Sequence, residues 1–306
     1  GSTKSSRVAR AAAAPSTAAA AAPSTSSADS LLSPDCSARL GAVLSMGKLE
    51  AGNLAQHKAV VKMVTDESAN VRLSAVRALG SLEPAELLAH APALAKCIED
   101  SDPDIRMAVV RAIGSLEAPA VARHAAVLVQ RIADSDPDVR LASVLALGVL
   151  KPWKQESIAP DILQHLKHAD SGVRYSALEI LAELRAAALE EHTAALAAML
   201  DDYDGDNRLL AMQLLCKLKP ASIEPHASKV VERLEDADSD VRLTAMRVLS
   251  RLEPSALVQH AADVVQKLVV QTLNHEHELE LEHQSHPTGT WVAPGGHSGA
   301  LQHQQA

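Results

Sequence analysis

Histidine recurs at a regular interval along the middle of this 306-residue chain, in stretches such as ARHAAVL and VQHAADV. Histidine binds metal ions and relays protons, so this column is the first candidate for chemistry. Packed helices lie about 8–10 Å apart, whereas zinc ligands lie about 2 Å from one ion. One histidine per helix therefore favours a structural role, hydrogen bonding to free backbone groups at a helix start. The column consists of His57, His90, His124, His192, His226 and His260.

A second group of histidines lies near the end of the patterned region. His275, His277 and His283 stand among four glutamates in NHEHELELEH. A His-x-His pair is able to bind Zn²⁺ or Ni²⁺. A solvated helix end explains the same residues, and we prefer that interpretation.

Residues for catalysis or a cofactor are missing from the pattern. Cys36, Cys97 and Cys216 are isolated, with no CxxC that would indicate a zinc site or a disulfide framework. No nucleophile–base arrangement and no glycine-rich phosphate loop appears. The sequence therefore predicts a protein that is not an enzyme, with no metal and no cofactor.

Charged columns share a period of 34 residues, which is typical of a repeat solenoid. An arginine marks each repeat, and an aspartate precedes it by six positions, with His168 in the fourth place. The columns indicate either a charged binding groove or a structural ladder. We favour the ladder, because these charges accompany helix-capping residues. Its predicted members are Arg72, Arg106, Arg140, Arg174, Arg208, Arg242, Asp100, Asp134 and Asp236.

Each repeat is predicted to form two helices, which makes the protein all-α. In DSDPDIRMAVVRAIGSL, Asp102 is placed to cap a second helix and Pro103 to occupy its first position. The first helix carries the histidine. Pro92 and Pro160 lie two positions after the column, and proline is tolerated only in a first turn, so the long part of this helix should begin near the histidine. LEPAELLA would then be a turn or a short separate helix.

Both ends of the chain lack the repeat. Residues 1–32 are rich in Ala, Ser, Thr and Pro, and residues 284–306 in Gln, His and Gly. Such segments cannot bury enough apolar surface to fold, so we expect disorder there and a solenoid over 33–283. The start of the chain is basic and nearly free of acids, as at the end of an organelle transit peptide, but a disordered linker explains the same composition and we prefer that interpretation. We expect an intracellular protein, with a plastid or mitochondrial location left open.

The stretches DSDPDVRLASVLALGVL and DADSDVRLTAMRVLSRL resemble HEAT repeats. The resemblance is strongest to the HEAT-like repeats of phycobilisome lyases, which are common in algal proteins, and covers about residues 33–273. It implies a right-handed α-solenoid of helix pairs. It also implies that the Asp and Arg columns form a hydrogen-bonded ladder between adjacent repeats.

The predicted function is a protein–protein interaction scaffold or adaptor. A net charge of −9 argues against nucleic acid, and no apolar run is long enough to cross a membrane. A structural subunit of a large organelle assembly, and a metal-dependent enzyme or bilin-lyase-type subunit, are the alternatives. Candidate partner-binding residues occupy variable positions five and nine after the repeat arginine, together with a tryptophan: Arg77, Arg111, Leu145, Val149, Trp153, Glu179, Gln213 and Arg247. Tryptophan also commonly packs in loops, and we favour that interpretation for Trp153.

Overall fold

Helices dominate the computed structural model, which describes residues 29–46 and 53–270. The described residues contain no strand, and the predicted all-α solenoid fold is confirmed. Two compact units divide the chain, Gly1–Asp161 and Ile162–Ala306. The boundary between them falls inside a helix.

The helices of the first unit are short and follow one another closely along the chain. They are α1 (Cys36–Ser45), α2 (Leu54–Met63), α3 (Ala69–Gly80), α4 (Pro84–Leu87), α5 (Ala91–Ala95), α6 (Pro103–Gly114), α7 (Ala118–Arg123), α8 (Ala125–Gln130), α9 (Pro137–Gly148) and α10 (Pro152–His165), which contains the boundary.

The second unit continues the same arrangement. Its helices are α11 (Ser171–Ala182), α12 (Ala186–Glu190), α13 (Thr193–Ala198), α14 (Gly205–Leu215), α15 (Pro220–Ile223), α16 (Ala227–Glu232), α17 (Ser239–Leu249) and α18 (Pro254–Val258), and residues 261–270 are also helical. We call the helices with the repeat arginine the B helices: α1, α3, α6 and α9 in the first unit, and α11, α14 and α17 in the second. Within each unit, successive B helices pack against one another.

The B helices begin where the sequence predicts. The Asp102 carboxylate accepts a hydrogen bond from the Asp104 backbone N–H, and Pro103 occupies the first turn. Asp136, Asp204 and Asp238 cap their helices in the same way. Ser68, by contrast, occupies an N-cap position without a side-chain hydrogen bond.

The core consists of aliphatic side chains from both members of each pair. Ile105, Val109 and Ile113 of α6 are fully buried, as are Leu94 and Leu128 from the segments before and after it. Burying an aliphatic side chain of this size contributes about 1.5–3 kcal/mol, so this stripe is the main source of stability.

The segments between B helices, which we call A segments, are interrupted at the histidine column, except that α2 runs unbroken from Leu54 to Met63 with His57 inside it. The chain forms α4 within LEPAELLA (residues 82–89), turns, and starts α5 directly after His90. The A segment that carries Ile158 instead of histidine is different, because α10 runs unbroken through Pro160. The prediction that this helix starts near the column was therefore wrong. A proline ring removes one hydrogen bond from a helix interior, and α10 nevertheless continues to His165.

Candidate partner-binding surface

A ladder of arginine–aspartate pairs joins consecutive B helices inside each unit. The Nε of Arg72 lies 2.7 Å from Asp100 Oδ2, and its Nη2 lies 2.8 Å from Asp100 Oδ1. The remaining nitrogen, Nη1, donates to the backbone carbonyls of Asp66 and Glu67. The same paired geometry joins Arg39 to Asp66, Arg106 to Asp134, Arg174 to Asp202 and Arg208 to Asp236.

Each ladder aspartate also orders the turn in which it lies. Asp134 Oδ1 accepts a hydrogen bond from the Asp136 backbone N–H at 3.0 Å. Burial on its own would raise the pKa of Asp134, but the hydrogen bonds from Arg106 and from this N–H outweigh it and lower the pKa. The carboxylate therefore stays charged, and it is a structural group whose acceptor sites are already occupied.

Two predicted ladder arginines lack a carboxylate partner among the described residues. Arg140 donates to the carbonyls of Asp134 and Ser135, and Arg242 to those of Asp236 and Ala237. The aspartate column holds His168 at the position 28 residues after Arg140. The histidine that replaces an aspartate in the sequence therefore coincides with an arginine, Arg140, that has no carboxylate partner among the described residues.

One pair of neighbouring histidines in the column lies closer together than the helix spacing predicts. His57 Nδ1 and His90 Nε2 lie 3.4 Å apart, with the two rings edge to face. The expectation that histidines of neighbouring helices are too far apart to meet was wrong for this pair. Helix separation is measured between axes, and two imidazoles that extend toward each other cover that distance.

At the helix start, the main-chain atoms of these histidines make the predicted hydrogen bonds, and the imidazoles do not. The His90 and His124 carbonyls accept from the N–H groups of Leu94 and Leu128, and neither imidazole caps its helix. Burial lowers the pKa of both His90 and His124. Both rings therefore behave as neutral packing groups.

An apolar stripe lies exposed on α9 in the first unit. Leu141 and Leu145 of α9 and the C-cap residue Val149 follow one another at intervals of four residues, which places them on one helical face. All three are exposed, Leu145 to 65%. Soluble proteins normally keep such contiguous apolar positions covered, so the stripe is a candidate contact surface.

Two arginines occupy the equivalent position on the neighbouring helices. Arg77 on α3 and Arg111 on α6 are exposed, and they line one cavity of about 220 Å³ together with Met107 and Ser115. Neither guanidinium makes an ion pair or a side-chain hydrogen bond with any described residue. We call Leu44, Arg77, Arg111, Leu141, Leu145 and Val149 the B face of the first unit.

Candidates in the second unit are less uniform. Gln213 and Arg247 are exposed, but Glu179 is half-buried, and burial raises the pKa of its carboxyl group. Nearby cations are already used, since Lys217 donates to the Ala182 carbonyl. This unit therefore offers fewer free groups to a partner.

Trp153 differs from its predicted environment. We expected this tryptophan to pack in a loop, yet it lies in the first turn of α10 with 64% of its side chain exposed. Exposed tryptophan is costly to leave in water and is common in binding hot spots. The structure therefore keeps it among the candidate contact residues.

Residues 29–46 and 53–270 show neither a metal-binding cluster nor a membrane-spanning helix. No group of three or more His, Cys, Asp or Glu side chains there is arranged to hold a metal ion. No helix in the same ranges is long and apolar enough to cross a bilayer. His275, His277 and His283 lie outside the described residues.

Stacked helix pairs joined by a buried ladder define a repeat protein of the α-solenoid class. A family model described as HEAT repeats matches residues 58–126 and 125–216, which together span more than half of the chain. The chain belongs to the HEAT-repeat family.

Solved structures of similar fold include designed proteins. One is an engineered protein, 19% identical, with 64% of this chain and 95% of that chain covered and a TM-score of 0.46. Two are designed armadillo repeat proteins, 14% and 16% identical to this chain, with TM-scores of 0.43 and 0.46. In each of these two comparisons, 63% of this chain and 98% of the other chain are covered. The second of these is in complex with the peptide (KR)4. No curated protein matched significantly.

Proposed function

We propose that this protein is a non-catalytic scaffold or adaptor that binds a protein partner through the B face of the first unit. The observation that carries the proposal is the exposed stripe of Leu141, Leu145 and Val149 on α9. The opposite side of the same helix is fully buried at Val139 and Leu147, so the helix is already well packed without the stripe. Covering three exposed aliphatic side chains would add apolar burial on binding.

The family supports this class of function. Repeat solenoids present one residue per repeat on a continuous surface, which suits recognition of another polypeptide. The positions five after the ladder arginine follow this rule, because they vary in type while the arginine column stays constant and the core stays aliphatic. An interaction surface needs this combination of variable outer positions on a constant frame.

The test compares partners recovered from native cell extract by two tagged variants. The first carries Leu145→Asp, Val149→Asp and Arg111→Glu on the B face. The second is a matched control with Leu88→Asp and Arg123→Glu, both exposed on A segments. We expect the B-face variant alone to lose the proteins that the wild type recovers, with helix content unchanged in both. Equal recovery by all three proteins would exclude the proposed surface.

An enzymatic role is separated from the scaffold by two measurements on the purified protein. Metal analysis tests for a bound ion, and an absorbance scan tests for a bound pigment. A scaffold should contain neither. A stoichiometric metal, or a visible absorption band, would replace the scaffold proposal with a metal-dependent or bilin-binding function.

A further inference from the structure

We infer that the B face of the first unit binds an extended peptide segment. The segment carries an apolar, an acidic, a second acidic and a second apolar side chain in that order, and successive members of this set are three residues apart. The inference rests on the proposed function and adds the chemistry of the partner. It follows from the order of four side chains, the charge around them and the spacing of the helices.

The order of side chains is set by the column five positions after the ladder arginine. On the consecutive helices α1, α3, α6 and α9 this column holds Leu44, Arg77, Arg111 and Leu145. All four side chains are exposed. The surface thus presents an apolar, a basic, a second basic and another apolar group in a row. The complementary segment carries apolar, acidic, acidic and apolar groups in the same order.

The two arginines are free to take a ligand. The guanidinium groups of the ladder are occupied by carboxylates, whereas those of Arg77 and Arg111 have no ion-pair partner among the described residues. The four helices contain no Asp or Glu after the ladder arginine, in Leu40–Ser45, Leu73–Gly80, Met107–Gly114 and Leu141–Gly148. A local positive charge in a chain of net charge −9 therefore stands uncompensated at this face. Guanidinium groups bind carboxylates strongly, because the fork geometry fits both oxygens.

The cavity between the two middle helices marks the centre of the surface. Arg77 and Arg111 line it together with Gly80, Ala108 and Ser115, and its volume is about 220 Å³. Gly80 and Ala108 are small, so the long side chains that line this cavity are those of the two arginines and Met107. The polar Ser115 is exposed beside them. A segment lying across the helices can therefore approach closely at its middle, where its two acids would be.

Helix spacing selects the conformation of the segment. Packed helices lie about 8–10 Å apart, and the four residues occupy the same position on their helices, so their Cα atoms repeat at about that distance. A polyproline II segment rises about 3.1 Å per residue and returns to the same face every three residues, which is roughly 9 Å. A β-strand returns every two residues, roughly 6.6 Å, and does not match. The segment is therefore polyproline II-like, with the pattern apolar-x-x-acidic-x-x-acidic-x-x-apolar.

The experiment measures fluorescence polarisation with labelled synthetic peptides. The probe is LPSEPSEPSL, whose pattern reads the same in both directions, so the peptide polarity need not be known. One comparison peptide reverses the charges, LPSKPSKPSL. Another, LPSGEPSGEPSGL, lengthens each step to four residues. The proteins are the full chain, the variant Arg77→Glu/Arg111→Glu, and the matched control Lys96→Glu/Arg123→Glu on exposed A-segment positions.

We expect the acidic probe to bind the wild type and the control alike, and both comparison peptides to bind more weakly. Charge reversal at the face should weaken the acidic probe by about tenfold or more, because like charges then meet, and should favour the lysine peptide. Absence of binding by the acidic probe, equal binding of all peptides, or equal affinity for both double variants would each overturn the inference. If the peptide fails while the Leu145→Asp/Val149→Asp/Arg111→Glu variant still loses its cellular partner, the surface stands and only the partner chemistry is wrong.

Discussion

Arg106 and Asp134 are joined by two parallel hydrogen bonds, from Nε to Oδ2 at 2.9 Å and from Nη2 to Oδ1 at 2.6 Å. Only 10% and 3% of the two side chains are exposed. The pair links B helix α6 to the turn before B helix α9. Because four similar pairs recur in the two units, the ladder is the polar frame on which the candidate surface rests.

Asp134→Asn should lower the free energy of unfolding by about 3 kcal/mol. The substitution leaves the Arg106 guanidinium nearly buried without its carboxylate, and breaking a buried pair by removing one partner is strongly destabilising. Urea unfolding followed by circular dichroism measures the change. Asp161→Asn, at an exposed position, is the matched control and should stay within about 0.5 kcal/mol of the wild type. Equal stability of the two variants would show that the ladder contributes little.

Acid should destabilise the protein through the ladder. Burial favours the neutral carboxyl of Asp100, Asp134, Asp202 and Asp236, but arginine and backbone hydrogen bonds outweigh it and lower each pKa from 3.8. A carboxyl whose pKa is lowered on folding contributes stability above its unfolded pKa, and loses it as pH falls through the folded value. Unfolding free energy should therefore drop below about pH 4. A pH series with Asp134→Asn should show a shallower drop than the wild type, and parallel curves would contradict this origin.

His90 should make stability depend on pH in a higher range. Burial and then the neighbouring His57 lower the pKa of His90 below 6.5, while Glu86 opposes them. The unfolded chain therefore binds a proton that the folded chain resists, and stability falls as pH drops below about 6.5. Urea unfolding between neutral pH and pH 5 measures this fall.

The variant His90→Gln keeps a polar side chain but does not titrate, so its stability should fall less over the same range. A remaining slope is expected from His124, whose pKa burial and then Arg123 also lower. An unchanged slope in His90→Gln would assign the whole dependence to other groups.

Two glycines on successive B helices should respond in opposite ways to alanine. A Cβ on Gly114 would lie 2.9 Å from the Ala146 Cβ, so α6 and α9 would have to move apart, at a cost of about 1–3 kcal/mol. A Cβ on Gly148 meets nothing within 4 Å, and alanine there should gain up to about 1 kcal/mol of helix stability. Thermal unfolding of the two single variants gives the comparison. A stabilising Gly114→Ala would mean that the helices separate without cost.

Much of the frame could be predicted because it depends on local patterns that repeat. Asp102 next to Pro103 indicates a helix start, and it caps one. The 34-residue period brings Arg106 and Asp134 into register, and the two residues meet. Even the incomplete pair of Arg140 is visible as the histidine that replaces an aspartate.

The sequence predicted the environments of side chains between neighbouring helices less well. His57 and His90 meet although the average helix spacing suggested separation, and Trp153 is exposed although a packed position was expected. Pro160 lies inside an unbroken helix rather than at its start. Each difference arises because one residue's contacts depend on how adjacent helices rotate and where they begin.

The amino-acid sequence alone therefore specified the helix pairs, their capping residues, the repeat period and the family, since these depend on local hydrogen bonding and periodic burial. Tertiary packing decided which cations remain unpaired and which apolar side chains remain uncovered. Arg111 and Glu179 belong to the same variable column, but only the packed structure leaves Arg111 exposed and half-buries Glu179. The side chains of the candidate surface remain exposed because the core packs, and the ladder forms its hydrogen bonds, without them.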